Sequence, residues 1–215
     1  MFIIEYDFFN LYHLKEKYKA VAQKYFYGTV MSFNDEHIKG TLREVTLGDG
    51  LILQMADFKL LTEHVLKGMP HKKDHYAIHF VYVKNNTGFN FTFNGISSNI
   101  AFPEIQAAIM TSDEDNISFT GKSNLQYVVM NIIVHRSWLQ KNIPELFETN
   151  HLLDRYFAMK EKRIWINMTD NNLSQQIKIA FEIQDSPFYK PLMEKLAGFI
   201  ISSFFMNMEL KMQRA

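Results

Sequence analysis

The chain has no cysteine, which removes disulfide stapling, thiol nucleophiles, Cys-x-x-Cys redox chemistry and thiolate-bound zinc together. Glycine and proline are sparse, 9 and 5 residues in 215, so neither a collagen-like nor a linker-like polymer is possible. Neither sign of charge predominates. The 23 Lys and Arg balance 23 Asp and Glu, and without a basic excess the chain lacks the counterion release that drives non-specific nucleic-acid binding. Long apolar runs are missing too. The longest uncharged one, LAGFIISSFFMNM, is shorter than the roughly 20 residues that cross a bilayer. At the N-terminus, Glu5 and Asp7 interrupt MFIIEYDFF and no cationic leader precedes it, unlike a signal peptide. These absences predict a cytoplasmic protein without membrane contact.

What the chain does have is material for a core. Hydrophobic residues make up 47%, with 19 Phe and 10 Tyr, enough for one large domain of the usual size. Apolar residues at Leu11, Leu14, Tyr18, Val21, Ala22 and Tyr25 recur every three to four positions, which predicts an opening amphipathic helix over 11–26. From Gly40 to Val134 the texture changes to short β-rich runs, separated by Gly48-Asp49-Gly50, Asn85-Asn86-Thr87-Gly88, Asn94-Gly95 and Gly121-Lys122-Ser123. Such turns between closely spaced strands predict an antiparallel sandwich or barrel.

Two strands stand out. FNFTFN, residues 89–94, alternates Phe with polar residues and ends at Asn94-Gly95, a hairpin signal on a strand with one buried aromatic face. YVVMNIIV, residues 127–134, is apolar on both faces and must be covered on both. Beyond it, SWLQKN, HLLDRYFAMKEKR, a segment LSQQIKIAFEIQ capped by Asp170-Asn171-Asn172, and a last helix starting near Pro187 predict a helical C-terminal third.

Chemical motifs are few. His71, His75 and His79 form the one dense histidine cluster. On a helix this spacing would stack three imidazoles for a metal, but residues 76–83 read as a strand, where positions four apart lie about 13 Å from each other. No metal site is therefore expected, even with His64 as a third candidate from a neighbouring strand. Asp113-Glu114-Asp115 reads as a solvated acidic turn rather than a catalytic carboxylate pair. No nucleophile elbow, phosphate-binding loop or dinucleotide fingerprint occurs, so no catalytic residue and no cofactor are expected. Asn131, an amide within a two-faced apolar strand, needs a partner. That partner is either inside the protein or a ligand in a β-lined cavity, where Tyr127 and Val129 share its face and Phe91 and Phe93 supply aromatic wall.

The last helix places Leu192, Leu196, Phe199, Ser203, Met206 and Leu210 at alternating intervals of four and three, the heptad seam of a helix contact. A second stripe, Ile201, Phe205, Met208 and Met212, lies on another face. One stripe can pack on the chain's own domain, and the other predicts a homodimer.

The runs HIKGTLREVTLGDGLILQMADFKLL, HFVYVKNNTGFNFTFNG, FPEIQAAIMTSDEDNISF and LQYVVMNIIVHRSWL, covering about Ile38 to Leu139, resemble the N-terminal regulatory domain of AraC-type transcription regulators. The resemblance implies an α+β chain: an N-terminal helix and arm over 1–38, a cupin-like double-stranded β-helix over 39–135 and a helical dimerisation region over 136–215. It implies an unknown small-molecule effector in the barrel, with DNA bound only through helix-turn-helix units that would begin about where this sequence stops. The chain departs from metal-binding cupins, since His-x-His with a downstream Glu is absent. The competing readings are a small cupin-like metal-dependent enzyme using His64, His75 and His79, and an interaction domain with no small ligand.

Overall fold

The computed structural model describes residues 2–6, 12–18, 20–25, 28–48, 50–68, 74–84, 89–93, 96–100, 107–112, 115, 117–148, 151–158, 166–167 and 189–213. The chain begins with β1 (Phe2–Tyr6), α1 (Tyr12–Lys17), β2 (Val21–Tyr25) and β3 (Gly28–Asn34). The long strands β4 (Ile38–Gly48) and β5 (Leu51–Leu60) follow, then β6 (His64–Gly68), β7 (His75–Lys84), β8 (Phe89–Phe93), β9 (Ile96–Ile100), β10 (Ala107–Ser112), β11 (Ile117–Gly121) and β12 (Gln126–His135). The C-terminal part carries α2 (Arg136–Asn142), α3 (Glu145–Glu148), α4 (Leu152–Ala158), the two-residue β13 (Ile166–Asn167) and α5 (Tyr189–Gln213).

These strands make two sheets. The larger has the order β13-β10-β7-β12-β5-β4-β3-β2, the smaller β1-β6-β11-β8-β9. β5 pairs with β12, β6 with β11, β7 with β10 and β8 with β9, all antiparallel. This nesting is that of one long hairpin rolled up so that successive strand pairs fall in alternate sheets, the double-stranded β-helix or jelly roll. The hairpin's tip is at β8 and β9, where Phe93 lies opposite Ile96, the register that Asn94-Gly95 predicts. The turn residues themselves lie outside the described residues.

The opening helix is shorter than its periodicity suggests. Only Tyr12–Lys17 is helical, and Val21–Tyr25 instead forms a strand with Val21 opposite Ser32 and Tyr25 opposite Gly28. Pairing with β3 satisfies the backbone of residues 21–25 along a sheet edge, and tertiary context overrides a local helical pattern of this strength. The β region thus extends N-terminal of residue 39, because β2 and β3 belong to the larger sheet.

Alternation along the central strands sorts side chains onto two cores. Leu51, Leu53 and Met55 of β5, with Met130, Ile132 and Val134 of β12, join Ile78 and Phe80 on the outer face, where α4 and α5 cover them. Ala56, Phe58, Leu60 and Tyr127 face the smaller sheet, packing with Ile117 and Phe119 of β11. The two-faced apolar strand is therefore central and covered on both sides, as its sequence predicts. α5 lies against β4 and β13; it buries Tyr189, Met193, Ile200, Ile201, Phe204, Phe205 and Met208, and the Arg43 guanidinium sits 5.7 Å from the Tyr189 ring centroid. The Met110 amide donates to the Tyr156 hydroxyl at 3.1 Å, which pins α4 to the sheet.

The β4–β5 connection has a steric reason for glycine. Gly50 has φ +81°, and a Cβ there would come within 2.8 Å of the His135 Cβ. That close approach lets the His135 amide donate to the Gly50 carbonyl at 2.7 Å, joining the hairpin to the start of α2. The segment LSQQIKIAFEIQ and its Asp170-Asn171-Asn172 cap lie outside the described residues.

Candidate functional site

Between the two sheets is a cavity of about 110 Å³. Phe33, Ile38, Leu42, Ala56, Phe58, Leu60 and Val129 form its wall on the larger sheet, and Leu66, Ile117, Ser118 and Phe119 form the facing wall. Leu14 and Tyr18, from α1 and its end, add to the lining of this partly open cavity. The Tyr18 ring meets Phe33 edge-on at 5.6 Å and lies tilted against His64 at 5.9 Å. Burial pushes the Tyr18 hydroxyl's pKa up, so it remains a neutral phenol.

One patch of this wall is polar: Gln54, His79 and Asn131. The sheet register puts them in one row, since Asn131 lies opposite both Gln54 and His79, and Gln54 lies opposite Glu44. Side chains link along it. His79 Nδ1 is 3.0 Å from Asn131 Oδ1, Asn131 Nδ2 donates to Gln54 Oε1 at 3.4 Å, and Gln54 Nε2 donates to Glu44 Oε2 at 3.0 Å. At the other end His79 Nε2 is 2.7 Å from the buried Thr111 hydroxyl.

A neutral imidazole carrying its proton on Nδ1 fits both contacts, donating to Asn131 and accepting from Thr111. Burial supports that state by pushing His79 down to about 4, only partly opposed by the hydrogen bond to Asn131. Burial also raises the Glu44 carboxyl, while the bond from Gln54 lowers it. Every donor in the row then points toward Glu44. No Lys, Arg, Asp or Glu lines the cavity among the described residues.

The sequence-derived ligand residues divide. Val129 and Asn131 line the cavity. Tyr127 shares their face but does not line it: it is fully buried, stacks on Phe58 at 5.8 Å, meets Phe119 edge-on at 5.4 Å and accepts from the Lys122 amide at 2.7 Å. It buttresses two lining rings from behind. Backbone register sets Phe91 opposite Phe119 and Phe93 opposite Ile117, but the side chains of Phe91 and Phe93 lie outside the described residues. Asn131 has partners inside the protein, His79 and Gln54, and its side chain also lines the cavity.

The histidines do not converge. His79 belongs to the polar row, whereas His75 sits at the start of β7, its ring 4.8 Å from that of His135. His64 is not on a strand next to β7; it lies on β6 of the smaller sheet, bonded through Nδ1 to the Thr62 carbonyl at 2.7 Å. His71 lies outside the described residues. Among the described residues no group of three His, Cys, Asp or Glu is placed to hold a metal ion.

The acidic turn also differs from expectation. Asp115 is buried, and its carboxylate accepts from the Ser112 amide and hydroxyl at 2.7 and 3.0 Å. It closes the turn after β10 instead of facing solvent. Asp113 and Glu114 lie outside the described residues.

On α5 the second stripe is the inward one, with Ile201, Phe205, Met208 and Met212 buried. Of the heptad seam, Leu192, Phe199, Met206 and Leu210 are 40, 43, 59 and 45% exposed. Leu196 departs from the expected seam by turning inward, and Ser203 is half-buried. No described helix is long and apolar enough to cross a membrane.

No family model and no curated protein matches the sequence. Among solved structures the chain is similar to KdgF from Halomonas sp., at 15% identity over 56% of this chain and 92% of that one, with a TM-score of 0.34. It is also similar to the Cnp3 cupin domain of Schizosaccharomyces pombe, at 8% identity over 47% and 69% of the two chains, TM-score 0.34. An HTH_3 family transcriptional regulator from Vibrio cholerae matches at 19% identity over 48% and 55%, TM-score 0.34.

Proposed function

We propose that the chain acts as the ligand-sensing and dimerisation domain of an AraC-type transcription regulator, and that it works without catalysis or a cofactor. The observation that carries this reading is the cavity between the sheets. Its walls are mostly apolar and aromatic, a neutral polar row crosses one of them with Ser118 on the other, and no charged side chain lines it among the described residues. Concave apolar sites with a few convergent polar groups are the usual form of small-molecule sites. In this reading α5 has two tasks, holding the outer core with one face and pairing with a second copy through the other. His64, His75 and His79, which the metal-dependent alternative would bring together, sit in three separate places among the described residues.

The test is thermal unfolding of the protein with a panel of neutral organic molecules no larger than about eight heavy atoms. A ligand at a hundred times its Kd stabilises the folded state by about 2.7 kcal/mol, which raises Tm by roughly 5–10 °C for a chain of this length. Ala56→Leu, which fills the cavity from its larger-sheet wall, is expected to fold and to lose this response. Equal stabilisation of wild type and Ala56→Leu would place binding elsewhere and overturn the reading.

A further inference from the structure

Asn131 makes its hydrogen bonds within the row to two partners, His79 and Gln54. An amide has two N–H donors and two acceptor lone pairs, so one Nδ2 hydrogen and one Oδ1 lone pair take part in no other bond among the described residues. Although Asn131 sits on a strand covered on both faces, its side chain keeps partial exposure, and the space it faces is the cavity. Its two remaining groups are not equivalent. Oδ1 already accepts from the imidazole, and Gln54, the acceptor of one Nδ2 hydrogen, itself donates to the Glu44 carboxylate. The 3.0 Å bond accepted at Oδ1 draws electron density from the amide and makes its N–H groups better donors. The 3.4 Å bond given by Nδ2 is long and does little for Oδ1 in return, so the remaining N–H is the stronger of the two.

Charge limits the ligand further. With no Lys or Arg among the described lining residues and His79 neutral, a carboxylate or phosphate would enter unpaired, at a desolvation cost that a single amide does not offset. The volume, about 110 Å³, is of the same order as the 150 Å³ that takes benzene in a sealed engineered cavity, and because this cavity is partly open it suits a single ring bearing one short substituent. From the row's direction, the uncharged lining and this size, we infer that the cavity selects small, neutral, cyclic or aromatic molecules with one carbonyl-type acceptor, read by the Asn131 Nδ2 hydrogen. This rests on the reading of the cavity as the ligand site, and the aromatic walls from Phe33, Phe58 and Phe119 supply the apolar part of the affinity.

Three probes of similar size separate the possibilities: cyclohexanone, methylenecyclohexane, which replaces the carbonyl oxygen by CH₂, and cyclopentanecarboxylate. Binding is read by calorimetric titration of wild type, Asn131→Leu and Ala56→Leu. The expected result is that wild type binds cyclohexanone about tenfold or more tighter than methylenecyclohexane and binds the carboxylate weakest. Asn131→Leu, folded by circular dichroism, should bind both neutral rings alike, and Ala56→Leu should bind neither. Equal affinity of wild type for ketone and hydrocarbon, with loss in Ala56→Leu, would overturn acceptor recognition and leave the cavity reading intact. Tightest binding of the carboxylate would overturn the neutral-ligand inference. No binding of any probe, or binding unchanged in Ala56→Leu, would overturn both.

Discussion

Phe199→Glu is expected to turn a dimer into a folded monomer. Phe199, Leu192 and Met206 recur every seven residues on α5, and Leu210 extends the row, all between 40 and 59% exposed. The heptad seam from Leu192 to Leu210 is symmetric about Ile201, so an antiparallel second copy would set Leu192 against Leu210 and Phe199 against Ser203. The same pairing brings Lys195 of one copy near Glu209 of the other, opposite charges at the flanks of the apolar row. Phe199 lies near the centre of such a contact, where truncating an aromatic anchor costs about 2 kcal/mol or more. A buried carboxylate without a partner costs more again. Because both copies carry the change, the dimer Kd should rise at least about a thousandfold. Light scattering at micromolar concentration checks this: wild type should have the dimer's mass and Phe199→Glu the monomer's, with the circular dichroism of both alike. A monomeric wild type would contradict the pairing.

The second large effect is on stability as a function of pH. The folded His79 pKa, about 4, is below the ordinary value near 6.5, so the folded state refuses a proton that the unfolded chain accepts. The contribution of the neutral imidazole is fully present above about pH 6.5 and falls by about 1.4 kcal/mol per unit as pH drops toward 4. The total loss is roughly 3 kcal/mol, a large part of the 5–15 kcal/mol by which domains are stable. Glu44 acts in the opposite sense, since its raised pKa lets the folded state take up a proton earlier. Urea unfolding of wild type and His79→Gln from pH 7.5 to 4.5 separates the two. The wild-type slope below pH 6.5 should exceed that of His79→Gln by about 1 kcal/mol per unit. Parallel slopes would mean that His79 is not held neutral.

Much of this architecture is legible in the sequence, and the exceptions have identifiable causes. The Asn94-Gly95 signal predicts the β8–β9 hairpin and the two-faced run around Asn131 predicts a strand covered on both sides, because a strand's period of two leaves little freedom in which residues share a face. The opening segment misleads because its three-to-four spacing is local, whereas the β2–β3 ladder that overrides it is a tertiary pairing. Asn131 was recognisable as a lone amide in an apolar strand. Gln54 in LILQMADF and His79 in YAIHFVYV carry the same signal, one polar residue interrupting an apolar run. Only the register across β5, β12 and β7 shows that the three interruptions coincide. Register between strands more than twenty residues apart depends on how the long hairpin rolls up, which no single segment encodes. Leu196 shows the same limit on a helix. The heptad assigns it to the outward seam, but α5 buries a face broader than one stripe, and Leu196 falls within it beside Met193, Ala197 and Ile200.

The central claim is that a neutral small molecule binds between the sheets. Methyl NMR on protein labelled at Ala, Leu, Ile and Val during titration with cyclohexanone tests it most directly. The account predicts saturable shifts confined to the cavity methyls of Leu42, Ala56, Leu60, Ile117 and Val129, with those of Leu192 and Leu210 unmoved. Shifts at the α5 surface without change at Ala56 and Val129, or no saturable shift at all, would contradict it.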